Sequence, residues 1–392
     1  MAKWKLALAT ALLAGCAGTP VAREPQVYQT RQPESVTLED QQVLFWDEAT
    51  RSDRFRRMED YFAGTEVAAA PDPREFAAGE PFDGDTLAKV DAYLAEMNAA
   101  GIMVIQDGKV RLEKYRLGFG RDQRWTSFSV AKSFTSTLLG AAVKDGHIAS
   151  LSDPVTDYLP ELAGTAYDGV TVEQVATMTS GVAWNEDYAD PNSDVARMLM
   201  IAPQEGETQS VTFAKTLTRE APAGEKWLYK TLETNLLGDI VAAATGRSLA
   251  EYAKEKIVDP AGFAGNLFWM TDLTGGNVGG CCLSIRLSDY ARMGQWVLEG
   301  GQPSVPDGWF ERAGGAMVDL GEGRGYGYQW WSYPGAFFGG QGIFGQYITV
   351  IPERRMVVAI VSNYRVATDA DLAQTRMKLW RTLIEASGAA PS

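Results

Sequence analysis

Histidine is almost absent from this sequence, because His147 is the single histidine in 392 residues. A Ser-His-Asp triad would have to use it, yet no serine occupies a Gly-x-Ser-x-Gly turn. His147 also lies beyond the helix that is predicted to begin near Ser129. We therefore interpret His147 as a turn-capping or surface residue, and any hydrolysis must proceed without histidine.

Cysteine is also scarce, with only Cys16, Cys281 and Cys282. A zinc site needs spaced cysteine or histidine ligands, and the chain has no such pattern. We predict neither a metal nor a cofactor. The adjacent Cys281 and Cys282 either form a strained vicinal disulfide or remain as buried thiols, and the sequence leaves both possibilities open.

Positive charge is in deficit, with 36 Lys and Arg against 50 Asp and Glu and a net charge of -14. Beyond the first residues the chain contains no long run of lysine or arginine. Nucleic acid is therefore excluded as an expected partner. The 45% hydrophobic content of the 392 residues is enough for one large domain or two smaller ones.

The N-terminal segment has the composition of a secretory signal. A short positive start precedes an apolar stretch that is too short to span a membrane, so we predict a signal peptide at residues 1–15. Its Leu-Ala-Gly-Cys ending resembles a bacterial lipobox, which implies that Cys16 carries the lipid. Residues 16–40 are then expected to be a tether, and the protein a periplasm-facing lipoprotein of the cell envelope, in the outer membrane. The alternative is a plain secretory signal.

Patterns of hydrophobic residues predict antiparallel strands at both ends of the domain. Asp107-Gly108 joins two β-type segments, and Glu353-Arg354-Arg355 joins two more near the C-terminus. Amphipathic helices are predicted from Asp85 to Gly101 and from about Thr368 to Ala386.

Between these ends the chain is mainly of helical character. We predict an α+β domain over 41–392, with one antiparallel sheet flanked by terminal helices and an all-helical region beside it. The α/β part takes in about 41–124 and 280–392, and the helical part about 125–279.

Ser129 and Lys132 form a Ser-x-x-Lys pair in the segment "SFSVAKSFTS". If the helix begins at Phe128 or Ser129, both side chains lie on one face and can meet. The helix N-terminus would stabilise an alkoxide and lower the lysine pKa, so that neutral Lys132 accepts the serine proton. The surrounding residues are apolar or small, where a lysine is costly unless it has a partner or a function. The spacing alone also fits a lysine that reaches solvent from an ordinary helix.

Three segments together resemble the serine β-lactamase and penicillin-binding protein superfamily: "SFSVAKSFTSTLLGAAV", "DPVTDYLPEL" and "VTVEQVATMTSGVAW". From Phe45 to the C-terminal helix the chain resembles, more narrowly, the branch of 6-aminohexanoate-dimer hydrolases and carboxylesterases, which is close to class C β-lactamases. The resemblance implies a β-lactamase-like fold, an acylated Ser129 and an assisting Lys132.

The resemblance also implies the remaining catalytic groups. Tyr229 would share the proton with Lys132, its phenol pKa lowered by the nearby ammonium, whereas Thr231 replaces the family's Asn or Ser. The backbone N–H groups of Ser129 and Ile343 would form the oxyanion hole. Gly342 precedes Ile343 in a strand where penicillin-recognising members carry a Lys-Thr-Gly motif. The lysine is missing here, which disfavours β-lactams and peptidoglycan as substrates.

A loop over the site is expected to bind the substrate. Tyr188 would hydrogen-bond an amide nitrogen, and Trp184 would form a wall of the pocket. Trp330 or Trp331 also lines the cleft, and alternation along a strand does not decide between them. The acidic residues of this region either attract a substrate amine or form a solvated surface: Glu186, Asp187, Asp190, Asp194 and Glu205.

We therefore predict a serine hydrolase of carboxylic esters or linear amides, acting on a small molecule through an acyl-serine. One alternative is a β-lactamase or D,D-peptidase with the same site. The other is a non-catalytic envelope protein that uses the fold for binding, although such a protein has no physical reason to keep a buried lysine beside a serine.

Overall fold

The computed structural model describes residues 27–33, 35–37 and 39–388. The predicted signal peptide, Cys16 and the first part of the predicted tether lie outside these residues. Of the helices in the described ranges, none combines the length and apolarity needed to cross a bilayer.

Fourteen strands are present in the described residues, in the order β1 Tyr28–Arg31, β2 Gly64–Val67, β3 Ala77–Ala78, β4 Ala99–Gln106, β5 Lys109–Tyr115, β6 Arg124–Thr126, β7 Leu267–Met270, β8 Leu283–Arg286, β9 Val318–Gly321, β10 Arg324–Tyr326, β11 Trp331–Tyr333, β12 Phe337–Gly342, β13 Gln346–Ile351 and β14 Met356–Ser362. Their order in the larger, nine-stranded sheet is β3-β5-β4-β14-β13-β12-β11-β10-β9, and in the smaller one β1-β2-β7-β8-β6. Neighbours are antiparallel except β3 and β5.

The helices of the described residues are α1 Glu48–Arg54, α2 Gly84–Glu96, α3 Val130–Lys144, α4 Val172–Ala176, α5 Asp194–Met198, α6 Gln209–Ala214, α7 Thr231–Thr245, α8 Leu249–Ala253, α9 Asp259–Ala261, α10 Leu287–Leu298, α11 Trp309–Ala313 and α12 Ala370–Ala386. Single 3-10 turns occupy Glu39–Gln41, Val43–Phe45, Met58–Asp60, Val155–Asp157, Pro160–Leu162 and Pro352–Arg354, and a short π-helix occupies Lys254–Val258.

Strand β14 shows why the large sheet is buried on both faces. Its alternate residues Val358 and Ile360 pack into a core with α2 and α12. Val357 and Ala359, between them, join the other core, which includes residues of α3 and α10. Because successive side chains of a strand point to opposite faces, this central strand needs apolar residues throughout.

The predicted α+β architecture is confirmed, and both predicted hairpins are present. β4 and β5 flank Asp107-Gly108, and β13 and β14 flank the turn at Pro352–Arg354. The C-terminal helix was predicted from about Thr368 to Ala386 and is found at Ala370–Ala386. The sheet and helix pattern therefore followed from local hydrophobic periodicity.

Four details differ from prediction. The structure has two sheets instead of one. Part of the predicted tether is strand β1, which pairs with β2. The segment 125–279 is not wholly helical, because β6 ends at Thr126 and β7 lies at Leu267–Met270. The helix from Asp85 ends at Glu96, and β4 already begins at Ala99. Short strands that pair only across distant segments leave little periodic signal in the sequence.

Helix α3 runs through the centre of the molecule. Every residue from Val130 to Ala142 is buried. It packs on α7, and its other neighbours include β12 of the large sheet. A residue on any face of its first turns is therefore inside the protein.

Gly140 tests how closely α3 is packed. A Cβ atom there would lie 2.5 Å from the Trp309 ring. We expect Gly140→Ala to lower the free energy of unfolding by about 1–3 kcal/mol, since an overfilled core must shift. Urea denaturation measures the change. The control is Gly84→Ala in α2, where a Cβ meets nothing within 4 Å; equal effects of the two substitutions would contradict the close packing.

Candidate active site

The turn before α3 sets the position of Ser129. The Ser127 backbone N–H donates to the Leu283 carbonyl of β8 at 2.8 Å, and the Ser127 hydroxyl accepts from the Leu283 N–H at 3.0 Å. Phe128 follows with φ of 44°. Ser129 is the N-cap residue of α3, but its side chain makes no capping hydrogen bond. The hydroxyl of Ser129 is therefore not used to cap the helix.

The left-handed conformation of Phe128 is held by packing. Its ring lies 5.0 Å from that of Phe55 and 5.4 Å from that of Phe344, measured between centroids. A bulky residue at positive φ costs about 1–3 kcal/mol and persists only when its surroundings enforce it. Such strain is common at functional sites, and here it directly precedes Ser129.

Lys132 is buried, with 1% of its surface exposed. Its Nζ donates to the Thr231 hydroxyl at 3.0 Å and to the Gly280 carbonyl at 2.9 Å. No carboxylate lies within ion-pair distance of it among the described residues. Burial lowers the pKa of Lys132 to about 8, and the negative charge of Glu186 opposes the shift. A large fraction of Lys132 is therefore neutral, and able to accept a proton, near pH 8.

Tyr229 precedes α7 and contacts both Ser129 and Lys132. The Lys132 Nζ lies 5.3 Å from the centroid of its ring. The Trp331 ring stacks on it at 5.7 Å and 25°. Burial raises the pKa of the phenol far above its usual range, Glu186 adds to this, and the Ser129 hydroxyl opposes it. The pKa of Tyr229 is thus raised rather than lowered as predicted, because burial and the charge of Glu186 both favour the neutral phenol.

Glu186 is the residue that the sequence did not single out. Its carboxylate accepts from the Thr231 N–H at 2.9 Å and from the Tyr188 hydroxyl at 2.7 Å. The Thr231 hydroxyl and the Trp184 indole also donate to it. It was recognised only as one of several acidic residues, since nothing local reveals that it meets Thr231 across 45 residues of chain.

The hydroxyl of Tyr188 is oriented by Glu186. Because its hydrogen is donated to that carboxylate, the Tyr188 oxygen is left to accept a hydrogen bond from another group. Such an acceptor suits an amide N–H, the contact predicted for this residue. The other acidic residues of the loop serve local structure: Asp187 accepts from the Ala189 N–H and Asp194 from the Asn185 N–H.

The two tryptophans predicted to line the pocket differ in position. Trp331 forms part of the pocket wall. Trp184 does not, because it lies behind Glu186 in the main core, with an exposure of 8%. Trp330 is wholly buried and belongs to the core as well. Trp331 therefore lines the cavity and Trp330 does not, because successive side chains point to opposite sides and only one side meets the cavity.

The predicted oxyanion hole lies where β12 ends beside α3. The backbone N–H groups of Ser129 and Ile343 make no hydrogen bond within the described part of the chain. The Ile343 carbonyl accepts from the Gln346 side chain at 3.2 Å, which holds the peptide that follows Ile343. Both N–H groups are therefore available to a ligand oxygen.

The glycines of β12 are required by the protein's own packing. A Cβ at Gly342 would lie 2.4 Å from the Ser127 carbonyl oxygen, and one at Gly340 would lie 2.7 Å from the Ser133 hydroxyl. The strand therefore approaches α3 too closely for side chains at these positions. Gly342 nevertheless lines the cavity, as predicted for a substrate-binding residue.

A cavity of about 280 Å³ connects these groups. Ser129, Tyr229, Trp331 and Ile343 line it. Residues of β13, the segment after β14 and α12 also line it, among them Tyr347, Tyr364 and Arg376. The volume is at the lower end of small-molecule sites, which suits a compact substrate.

His147 and the cysteines lie outside this cavity. His147 is exposed beyond the far end of α3, about 20 Å of helix from Ser129. The sulfurs of Cys281 and Cys282 are in bonding contact, directly after Gly280. Within the described ranges no three or more His, Cys, Asp or Glu side chains group as metal ligands would.

A comparison with protein families matches residues 88–272 and 285–379 to the Beta-lactamase family. The chain belongs to the Beta-lactamase family. The chain is similar to a 6-aminohexanoate-dimer hydrolase from Paenarthrobacter ureafaciens, 32% identical over 300 residues that cover 71% of this chain and 76% of the relative. A β-lactamase from Pseudomonas fluorescens is 24% identical over 183 residues, 44% of this chain and 47% of the relative. This family member is accordingly a hydrolase.

Solved structures of the Beta-lactamase family share the fold. A structure provisionally assigned as a 6-aminohexanoate-dimer hydrolase from Bacillus anthracis superposes with a TM-score of 0.75 at 20% identity, over 85% of this chain and 93% of the other. A class C β-lactamase superposes with a TM-score of 0.56 at 18% identity, over 77% and 95%. The resemblance first found in the motifs is thereby confirmed.

The substitution Lys132→Met tests whether burial of the Lys132 amine lowers the free energy of unfolding. Because the folded-state pKa of about 8 lies below the unfolded value of about 10.4, the free-energy cost of burying Lys132 grows as the pH falls from about 10.4 to 8 and is complete below pH 8. We expect the variant to be more stable than wild type by about 1–3 kcal/mol near pH 6–7, with a gain that shrinks as pH rises toward 10.

Urea denaturation at pH 6.5 and pH 9.5 measures this difference. The control is Lys89→Met in α2, an exposed lysine whose replacement should change stability little at either pH. A Lys132→Met effect that is the same at both pH values would contradict the lowered pKa.

Proposed function

We propose that this Beta-lactamase-family hydrolase cleaves small carboxylic esters or linear amides through an acyl intermediate on Ser129. The observation that carries the proposal is the burial of Lys132 three residues after Ser129, without a carboxylate partner among the described residues and with a pKa lowered to about 8. A buried lysine in this state is suited to act as a base.

In the proposed reaction the Ser129 Oγ attacks the carbonyl carbon and neutral Lys132 takes up its proton. Tyr229 contacts Ser129 and stays protonated, because burial holds its pKa high. It passes a proton to the leaving oxygen or nitrogen and is reprotonated by Lys132. Water then attacks the acyl carbon and gives a proton to neutral Lys132. Tyr229 protonates Ser129 Oγ as its bond to the acyl carbon breaks, and Lys132 returns the proton to Tyr229. The N–H groups of Ser129 and Ile343 stabilise the oxyanion in both steps.

Two observations support amides among the substrates. The relative from Paenarthrobacter ureafaciens is named for hydrolysis of 6-aminohexanoate dimer, a linear amide. The Tyr188 oxygen, oriented by Glu186, is an acceptor on the cavity wall that suits an amide N–H. For β-lactams, by contrast, β12 lacks the lysine of penicillin-recognising relatives, and Gly340 has no room for a side chain.

We also propose that the protein is a lipoprotein of the cell envelope, anchored through Cys16. The support is the Leu-Ala-Gly-Cys motif after an apolar stretch. Cys16→Ser should shift the protein from the membrane fraction to the soluble fraction and abolish labelling by a palmitate analogue. Unchanged labelling of the variant would count against the anchor.

Labelling with a fluorophosphonate tests the nucleophile. Ser129→Ala should lose all labelling and Lys132→Ala nearly all, whereas Tyr229→Phe should lower ester hydrolysis by about 10²–10⁴-fold. Ser133→Ala, one helical turn further along α3, is the control and should still be labelled. Labelling that persists in Ser129→Ala would refute the assignment. Nitrocefin hydrolysis that exceeds hydrolysis of p-nitrophenyl esters and a linear amide would favour the β-lactamase alternative.

The pH dependence of kcat/KM tests the base. Since neutral Lys132 is the active form, kcat/KM should rise with pH to a plateau, with a midpoint near 8. Glu186→Gln removes a charge that raises the Lys132 pKa, so the midpoint should move down by about one pH unit. The NH2 group of the glutamine amide cannot accept the hydrogen bonds that the four donors give to the carboxylate. We therefore expect Glu186→Gln to lower activity by about 10–100-fold.

Asp187→Asn, a change of the neighbouring exposed carboxylate, is the control for this experiment and should leave the midpoint where it is. If Glu186→Gln and Asp187→Asn shift the profile equally, Glu186 has no special coupling to Lys132.

A further inference from the structure

Arg376 is a second buried cation in the cavity that contains Ser129. It lies in α12 with 8% of its surface exposed, and it lines the cavity. Its Nη1 donates to the Tyr347 hydroxyl at 2.6 Å, while its Nε is buried without a hydrogen-bond partner. Within the described ranges no carboxylate comes within 4.0 Å of the guanidinium. The folded chain thus leaves this positive charge unneutralised.

The surroundings of Arg376 hold it in place without cancelling its charge. The guanidinium lies 4.5 Å from the centroid of the Tyr347 ring and 4.8 Å from that of Trp380. Cation–π contacts of this kind contribute about 0.5–2 kcal/mol each. An unpaired buried charge costs several kcal/mol, so these contacts alone do not explain why an arginine occupies the position.

Asp369 is a carboxylate that lines the cavity together with Arg376. Its Oδ1 caps α12 by accepting from the Asp371 and Leu372 N–H groups. Its Oδ2 accepts from Arg365 at 3.0 Å. Asp369 is therefore already satisfied by the helix end and by a different arginine, and Arg376 is left without an anion.

We propose that Arg376 binds a carboxylate of the substrate in the part of the cavity formed by β13 and α12. A guanidinium offers paired N–H donors that match the two oxygens of a carboxylate. Among the described residues the guanidinium has a hydrogen-bond partner on Nη1 only, so N–H donors of this cavity-lining group remain for a ligand. This inference rests on the proposed function of Ser129, and it narrows the substrates to esters or amides that carry a carboxylate within a compact molecule.

Binding of a substrate carboxylate would explain why the cavity contains the positive charge of Arg376. Strand β12 carries no lysine that could serve this purpose. The cation belongs to the C-terminal helix α12 and not to the strand beside Ser129. A substrate would be held at two points, its reacting carbonyl at the Ser129 and Ile343 N–H groups and its carboxylate at Arg376. Two-point binding fixes orientation, which contributes to rate as well as to affinity.

The test compares matched substrates that differ only in charge. The acyl pair is p-nitrophenyl hydrogen glutarate and its methyl ester. The amine pair is N-acetyl-6-aminohexanoate and its methyl ester, with release of the acetyl group measured in both. Wild type should prefer the free acid of at least one pair by about 10-fold or more in kcat/KM. No preference for the acid in either pair would overturn the proposal.

Substitution of Arg376 then tests whether this residue causes the preference for the free acid. Arg376→Gln should lower kcat/KM for the preferred acid by about 10–100-fold and for its methyl ester by less than about 3-fold, since only the acid loses a charged partner. Arg376→Lys should restore part of the preference. The control is Arg381→Gln, an exposed arginine of the same helix, which should leave both values unchanged.

A purely structural role for Arg376 gives a different result. In that case Arg376→Gln lowers kcat/KM for acid and ester by the same factor, or lowers the thermal unfolding temperature so far that neither is cleaved, while Arg376→Lys folds normally and shows no preference for the acid. Either result overturns the proposal. Hydrolysis of neutral p-nitrophenyl butyrate by wild type, and its loss in Ser129→Ala, report on the proposed function separately.

Discussion

The structure around the cavity depends on the enclosure of one amine. Lys132 meets the Thr231 hydroxyl and the Gly280 carbonyl, so the start of α3, the start of α7 and the loop before β8 must converge on its Nζ. The loop can come this close because a Cβ at Gly280 would lie 2.9 Å from the Thr231 carbonyl oxygen, a distance that only glycine avoids. The same enclosure removes water from the ammonium and lowers its pKa.

Among the described residues, the charged side chains around the cavity do not form ion pairs with one another. Glu186 is held by donors from Thr231, Tyr188 and Trp184. It faces a lysine that burial favours in its neutral form. Arg376 also lines the cavity, beside the rings of Tyr347 and Trp380. Burial of a lysine and an arginine without a carboxylate partner costs free energy, and such local costs are typical of sites that are built to act on another molecule.

Local pattern was sufficient for the elements with strong periodicity. The hairpin at Asp107-Gly108 and helix α12 follow from turn chemistry and from the spacing of apolar residues. The Ser129–Lys132 pair was proposed from its spacing, and Tyr229 from the family resemblance. Prediction failed where pairing was distant or short. Strand β1 was assigned to a tether because its four residues become a strand only by pairing with β2. Trp184 was placed in the pocket wall, although it lies in the core behind Glu186.

The sequence by itself determined that the chain has a single histidine, that a serine and a lysine share the first turn of a helix with apolar surroundings, and that the fold is α+β. These conclusions depend on composition and on contacts between residues near in the chain. Only the tertiary structure decided that Glu186 holds Thr231 and Tyr188, that Trp331 rather than Trp330 faces the cavity, and that Arg376 lacks an anion. Those facts depend on distances between segments far apart in sequence, and the sequence carries no local signal for them.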